Sequence, residues 1–225
     1  KISFINEIAN LCERVGADVD SVRKGIGSDG RIGEKFLFPG IGYGGSCFPK
    51  DVKALKHTAN EHQYEFMLLK AVEDVNTKQK SVLMNKVMRY YNNDIQNKKF
   101  ALWGLAFKPD TDDIREAPAI ELIRNLLSAG AQVVAYDPEA VSNVKKIFTS
   151  EDRLSFSTDA YSALDNAHAL LIATEWSEFK TADFEIIKKR LLEPVIFDGR
   201  NIYELPLLSQ RGLYYESIGR RIITP

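Results

Sequence analysis

From Lys99 onward the chain alternates short apolar runs with segments of helical period, and that alternation restricts the fold more than any other feature. Residues 100–104 read as a buried strand, 120–127 as a helix closed by Gly130, and 132–136 as a second strand. Residues 168–173 give a third strand, 195–197 a fourth and 213–217 an edge strand, with 184–192 among the intervening helices. Strands spaced in this way predict an α/β fold, a Rossmann-like parallel sheet wound with helices on both faces. Such sheets bind ligands beyond the carboxyl ends of their strands. Asp137 and Asp198, which close two strands, and the loop 104–115 are expected at that end.

Before residue 97 the pattern is helical, with one break. Ile5, Ile8, Cys12 and Val15 recur at helical spacing and Gly16 is a natural stop. A second helix starts at Asp18, and a glycine-rich break covers 25–46, with eight of the chain's 14 glycines. Pro49 then opens a third helix. A longer one is expected over 64–91, with Leu68, Leu69, Val72, Val75, Val82 and Val87 as its apolar stripe. It would span roughly 40 Å, enough to bridge domains or to build a homodimer, and a plain bundle helix is an equal reading. The reading is therefore two domains, a helical dimerisation domain over 1–96 and the sheet over 97–225. The chain also runs from Lys1 straight into a helix with no capping residue, so it is expected to be part of a longer protein.

Charge narrows the partners. Thirty basic against 31 acidic side chains leave a net charge of -1, so neither nucleic acid nor an anionic membrane surface is an expected partner. No apolar run approaches the roughly 20 residues of a membrane helix. Two cysteines make no disulfide framework, which suits a reducing cytoplasm, and no metal site is expected.

The most informative segment is Gly40-Ile41-Gly42-Tyr43-Gly44-Gly45-Ser46-Cys47-Phe48-Pro49-Lys50-Asp51. No βαβ unit surrounds it, so it is not a dinucleotide fingerprint. It offers a flexible backbone leading to a cysteine just before a helix. The helix dipole and Lys50 both favour a thiolate there, the requirement for a nucleophilic cysteine. Asp51, in the first turn, is placed to orient a water or a proton. The plainer reading of a lone cysteine is packing, and Cys12 on its apolar face is assigned to that.

This segment closely resembles the catalytic-cysteine motif of the UDP-glucose 6-dehydrogenases. Gly30-Arg31-Ile32-Gly33, Gly104-Leu105-Ala106-Phe107-Lys108, Thr111-Asp112-Asp113-Ile114-Arg115-Glu116, Ala173-Thr174-Glu175-Trp176 and Phe197-Asp198-Gly199-Arg200 match in order. The resemblance covers essentially the whole chain but only the later two-thirds of the family's architecture. The amino-terminal NAD-binding domain is missing, as are a lysine and an asparagine slightly upstream of Lys1. The resemblance implies a four-electron oxidation of UDP-glucose to UDP-glucuronate with two NAD. Cys47 would carry a thiohemiacetal and then a thioester, and Asp51 would assist proton transfer or position the hydrolytic water. The isolated chain is then expected to be inactive.

The same resemblance assigns UDP-sugar contacts to Phe107, Lys108 and Arg200, to Phe36, and to the loop backbone from Phe38 through Gly40 and Tyr43 to Gly44. Arg31 would reach the sugar in the neighbouring subunit, and Lys50 and Arg115 would lie near NAD. On the residues alone, surface arginines at Arg31, Arg115 and Arg200 and core rings at Phe36 and Phe107 are the favoured reading. Two further readings stand beside this one: a GDP-mannose dehydrogenase fragment and a non-catalytic nucleotide-sugar-binding, dimerising module. A UDP-N-acetylmannosamine enzyme is disfavoured by Ser46, where those proteins carry histidine.

Overall fold

The computed structural model describes residues 1–225. Five helices come first: α1 (Ile2–Val15), α2 (Val19–Gly27), α3 (Phe48–Glu61), α4 (Met67–Gln79) and α5 (Val82–Tyr90). There follow β1 (Lys99–Trp103), α6 (Pro118–Ser128), β2 (Gln132–Tyr136), α7 (Val141–Ile147), β3 (Leu154–Phe156) and β4 (Ala169–Ile172). The chain closes with α8 (Ser177–Lys180), α9 (Phe184–Arg190), β5 (Val195–Asp198), α10 (Leu205–Leu208) and β6 (Tyr214–Glu216).

The sheet is the expected one. Its six strands run parallel in the order β3-β2-β1-β4-β5-β6, so the direction of winding reverses between β1 and β4. That reversal opens a crevice at the carboxyl ends of those two strands. Every residue of β4 and β5 is buried, as strands covered on both faces require. One apolar cluster, containing Trp103, Leu170, Phe179 and Tyr215, fills one face. The other face joins Phe100, Leu102 and Phe197 to Ile5, Ala9 and Cys12 of α1 and to Leu83 and Val87 of α5. The amino-terminal helices thus share a core with the sheet.

Several expectations are corrected. The long helix over 64–91 is two helices, α4 and α5, separated at Lys80 and Ser81. Both residues keep right-handed helical angles, but the Ser81 hydroxyl donates to the Lys78 carbonyl oxygen at 2.8 Å. The Ser81 N–H also turns to Lys78, three residues back, so the regular ladder is interrupted. The glycine-rich break begins later than expected, because α2 continues through Gly25 and Gly27. Asp18 caps it by accepting from Asp20 and Ser21 N–H, and Val22 and Ile26 pack on the core. Val15 leaves the apolar stripe and is exposed. β3 is an additional edge strand, of which only Leu154 is fully buried. No helix is long and apolar enough to cross a membrane.

Candidate functional site

Asp137 ends the strand next to β1 and organises the crevice from below. Its Oδ2 accepts from Leu105 N–H at 2.7 Å, Ala106 N–H at 3.1 Å and the Trp176 indole at 3.1 Å, while Oδ1 accepts from Glu139 and Ala140 N–H. Asp198 is likewise buried and accepts from Arg200 N–H, Ile202 N–H and the Tyr215 hydroxyl. Burial pushes its carboxyl above the ordinary value. Both aspartates stand where expected, but their oxygens are taken by the protein: they shape the loops that face a ligand.

Above these loops lies a cavity of about 680 Å³. Phe107 and Lys108 after β1, Glu175 after β4 and Arg200, Asn201 and Ile202 after β5 form one wall. Lys35, Phe36, Phe38, Pro39, Gly42, Tyr43, Gly44 and Phe48 form the other, with Ile2 from α1 and Lys180 from α8. Lys108 reaches across its neighbour, its Nζ 5.4 Å from the centre of the Phe107 ring. Tyr43 and Phe36 each meet the Phe48 ring edge-on, at 6.1 and 5.9 Å. Phe36 holds φ at 66°, a costly backbone state for a bulky residue. Phe38 is exposed and carries the Arg23 guanidinium at 4.7 Å from its centroid.

Buried amides hold the glycine loop. Gly40 N–H donates to Asn6 Oδ1 at 2.9 Å, and Gln79 Nε2 donates to the Gly40 carbonyl at 2.7 Å. Asn76 forks on Tyr43, accepting from its N–H at 2.9 Å and donating to its carbonyl at 3.1 Å. Gly44 and Gly45 are required sterically. A Cβ on Gly44 would stand 2.4 Å from the Glu116 carbonyl oxygen, and one on Gly45, at φ 86°, would stand 2.7 Å from the Phe107 ring. Asn6, Asn76 and Gln79 were not among the expected site residues. Their signal was present: Asn76 and Gln79 follow Val72 and Val75 on the same stripe of α4, where an amide is out of place unless it holds backbone.

Cys47 occupies the N-cap position of α3 and is exposed, with Ser46 Oγ 3.8 Å from its sulfur. Lys50 pairs with Asp51 at 3.4 Å, and both are largely exposed. On the far side of the cysteine segment Lys50 and Arg115 line a second, open cleft of about 790 Å³, together with Gly45, Ser46, Pro49, Lys53 and Glu116. Arg115 grips Asp113 with Nε at 2.9 Å and Nη2 at 2.8 Å, which holds the Asp113 carboxyl below its usual range. Lys53 and Lys80 do the same for Glu116, each at 3.0 Å.

The structure therefore brings Phe36, Phe38, Tyr43, Gly44, Phe107, Lys108 and Arg200 around one cavity, and Lys50 and Arg115 around another. Gly45 and Ser46 line the second, and Cys47 is in the lining of neither. One of the expected contacts lies elsewhere, and Arg31, expected to serve the neighbouring subunit, stands outside this cavity. Gly40 is buried behind the loop with both backbone groups occupied. Arg31 is exposed, forked onto Asp29 within its own turn.

Residues 101–205 match the model of the UDP binding domain of the UDP-glucose/GDP-mannose dehydrogenase family, and residues 1–78 match that family's central domain. The chain is 47% identical over 220 residues to a UDP-glucose 6-dehydrogenase of Rhizobium meliloti, covering 98% of this chain and 50% of that protein. It is 44% identical to a UDP-glucose 6-dehydrogenase of Pseudomonas aeruginosa over 98% of this chain and 49% of the relative. Among solved structures, a UDP-glucose dehydrogenase from Pyrobaculum islandicum superposes with a TM-score of 0.81 at 33% identity, over 89% of this chain and 44% of that one. An NDP-N-acetyl-D-galactosaminuronic acid dehydrogenase from Methanosarcina mazei gives 0.83 at 28% identity, over 98% and 48%. The chain spans about half the length of the curated relatives it matches.

Proposed function

The chain belongs to the UDP-glucose/GDP-mannose dehydrogenase family, and from that premise we propose that its residues supply the sugar-nucleotide site and the covalent nucleophile of an NAD-dependent UDP-glucose 6-dehydrogenase. The observation that carries this reading is the cavity at the winding reversal, where Lys108, Arg200 and aromatic rings from two separate segments converge beside the Cys47 loop. A diphosphate needs cations and a base or sugar ring needs flat apolar walls; this cavity provides both. Neighbours acting on N-acetylated sugars share the fold, so UDP-glucose is favoured by the names of the nearer sequence relatives.

Cys47 is the residue for the chemistry, because an exposed thiol at a helix N-terminus can add to an aldehyde. In the proposed sequence the sugar's primary alcohol is first oxidised to the aldehyde. The sulfur then forms a bond to the aldehyde carbon and the carbonyl oxygen takes the thiol proton, giving a thiohemiacetal. Its oxidation, with loss of a hydride and the hydroxyl proton, leaves a thioester. Water adds to that carbon, the C–S bond breaks, sulfur regains a proton and UDP-glucuronate is released. Asp51, one turn into α3, orients that water or receives its proton.

NAD would supply the hydride acceptor for both oxidations. The residues fit it only in part. Lys50 and Arg115 offer charge on the second cleft, but the turn after β1, where this strand order would cradle a pyrophosphate, has its Leu105 and Ala106 N–H groups taken by Asp137. The 225-residue polypeptide on its own is accordingly expected to show no NAD reduction.

The reading includes a homodimer in the cytoplasm. Phe4, Leu11 and Val15 share an exposed face of α1, and Met67 and Leu68 are exposed at the start of α4, a surface suited to a second copy. Arg31 would then reach the partner's sugar. Calorimetry tests the core of the proposal: UDP and UDP-glucose bind the chain, while NAD binding is negligible. Affinity for GDP equal to that for UDP would favour a GDP-mannose enzyme, and absence of UDP binding would refute the reading.

A further inference from the structure

Glu175 is the one acidic residue in the wall of the large cavity, set among Lys35, Lys108, Lys180 and Arg200. A carboxylate in a pocket for a diphosphate weakens phosphate binding by direct repulsion, so its presence needs another reason. Its hydrogen bonding is unfinished. Glu175 Oε2 is buried and has no hydrogen-bond partner. The nearest cation is Arg200 Nε at 3.4 Å, but that N–H is committed to the Ala173 carbonyl oxygen at 2.8 Å. The contact is an ion pair without a hydrogen bond. The side chain stays 36% exposed, so the carboxylate turns one oxygen toward Arg200 and leaves the rest of its surface on the cavity.

The backbone that presents it is fixed on both sides. Thr174 is fully buried and its hydroxyl donates to the Ala106 carbonyl at 2.6 Å; the Trp176 indole donates to Asp137. Glu175 lies between these anchors at the carboxyl end of β4, on the crevice itself. Oε2 is sealed against Arg200, so the exposed remainder of the carboxylate, on a backbone held rigidly by these anchors, is what a donor arriving with a ligand meets.

We propose that Glu175 is a specificity-determining residue that accepts a hydrogen bond from a neutral donor of the nucleoside, a ribose hydroxyl or the imide N–H of the base, while the surrounding cations hold the diphosphate. The inference rests on the nucleotide-sugar reading above. It makes the two ends of the ligand respond oppositely to loss of the carboxylate.

The test is calorimetry of the 225-residue chain and its Glu175→Gln and Glu175→Ala variants with UDP and with inorganic pyrophosphate. Loss of a charge-assisted hydrogen bond should weaken UDP about tenfold or more in both variants, while pyrophosphate binds unchanged or more tightly. 2′-Deoxy-UDP, 3′-deoxy-UDP and N3-methyl-UDP then locate the donor: the analogue lacking it binds the unsubstituted chain weakly and is insensitive to Glu175→Ala. UDP affinity unaffected by either variant would overturn the inference, as would parallel loss of UDP and pyrophosphate, which marks a purely structural support of Arg200. Failure of the unsubstituted chain to bind UDP would instead remove the parent reading.

Discussion

Arg200 Nη1 donates to the Gly42 carbonyl oxygen at 3.2 Å, joining residues 158 positions apart in the chain. The same guanidinium donates through Nε to Ala173 and reaches the Phe107 carbonyl with Nη2 at 3.5 Å. One side chain thus ties the glycine loop to the ends of β1 and β4. Arg200 is a strut of the cavity as well as a cation in its wall.

Replacing Arg200 by lysine should not restore what alanine removes, because one ammonium group cannot reach three carbonyls in the geometry of a planar fork. Both variants are expected to accelerate amide hydrogen exchange across residues 40–46, and to weaken UDP about tenfold or more. Lys108→Ala should weaken UDP similarly without loosening that loop. Exchange in residues 40–46 that is unchanged in Arg200→Ala would dismiss the strut.

The two cysteines should separate cleanly by reactivity. Cys47 is exposed, whereas Cys12 is 4% exposed on the core face of α1, and burial pushes its thiol up. Iodoacetamide is expected to modify Cys47 and spare Cys12 in the folded chain, read by mass spectrometry of the peptides. Cys47→Ser should leave UDP affinity nearly unchanged, since the thiol is assigned to the sugar's reacting carbon. A large loss of UDP affinity would place the sulfur in the nucleotide site instead.

Glycines that look alike in the sequence differ sharply in the fold. A Cβ on Gly25 meets nothing within 4 Å inside α2, so Gly25→Ala should stabilise the chain by about 0.5–1 kcal/mol through reduced freedom of the unfolded state. Gly44→Ala must push the Glu116 backbone away and is expected to destabilise and to disturb UDP binding. Urea denaturation of the pair decides the matter, and equal effects would show that the loop yields more easily than its packing implies.

This contrast also shows where the sequence was readable. The strands at 100–103, 169–172 and 195–197 announce themselves because both faces are covered, so each is an unbroken apolar run; β2 is only half-buried on one face but keeps the apolar run 133–136. β3 has three residues and one buried side chain, too little for any periodic signal. The division of the expected long helix was hidden for the opposite reason: its apolar stripe stays in phase through Lys80 and Ser81, and only a serine hydroxyl interrupts the ladder. At the site, the glycines and Cys47 marked the loop, and two amides on the apolar stripe of α4 marked its support, but spacing could not reveal that Asn6 of α1 holds it as well. Nor could it show that Asp137 and Asp198 spend their oxygens on protein N–H groups.

Lys86 offers a test of the junction between the helices and the sheet. It is 2% exposed and donates to Glu13 of α1 at 2.7 Å and to Glu216 of β6 at 3.1 Å; Arg89 also pairs with Glu216. Without Lys86, Glu216 keeps only Arg89 and the Tyr214 hydroxyl, and Glu13 only the Gly219 N–H, so Lys86→Ala should cost about 1–3 kcal/mol. Lys86→Met, which keeps the stem, should still lose most of that amount. Urea midpoints unchanged in both would mean that water or rearrangement satisfies Glu216.

Asp198 should leave a signature in the pH dependence of stability. Burial raises its carboxyl above the ordinary value, against the opposing bonds from Tyr215 and the Arg200 and Ile202 N–H groups. The folded chain therefore holds this proton more tightly than the unfolded chain does. Unfolding releases it in the window between the unfolded and folded values, so the contribution of Asp198 falls as pH rises from about 4 through that window and is level below it. Asp198→Asn cannot titrate and should flatten this decline, measured as the difference in urea stability between the two chains at successive pH values. The substituted amide has a single acceptor oxygen, so a pH-independent loss is expected as well, arising from whichever of the three donors it leaves unpaired. The advantage of the unsubstituted chain should thus be largest at low pH and shrink as pH rises. An advantage that grows with rising pH would mean that the carboxyl is held low instead, with Arg220, bonded to the same Tyr215 hydroxyl, outweighing burial.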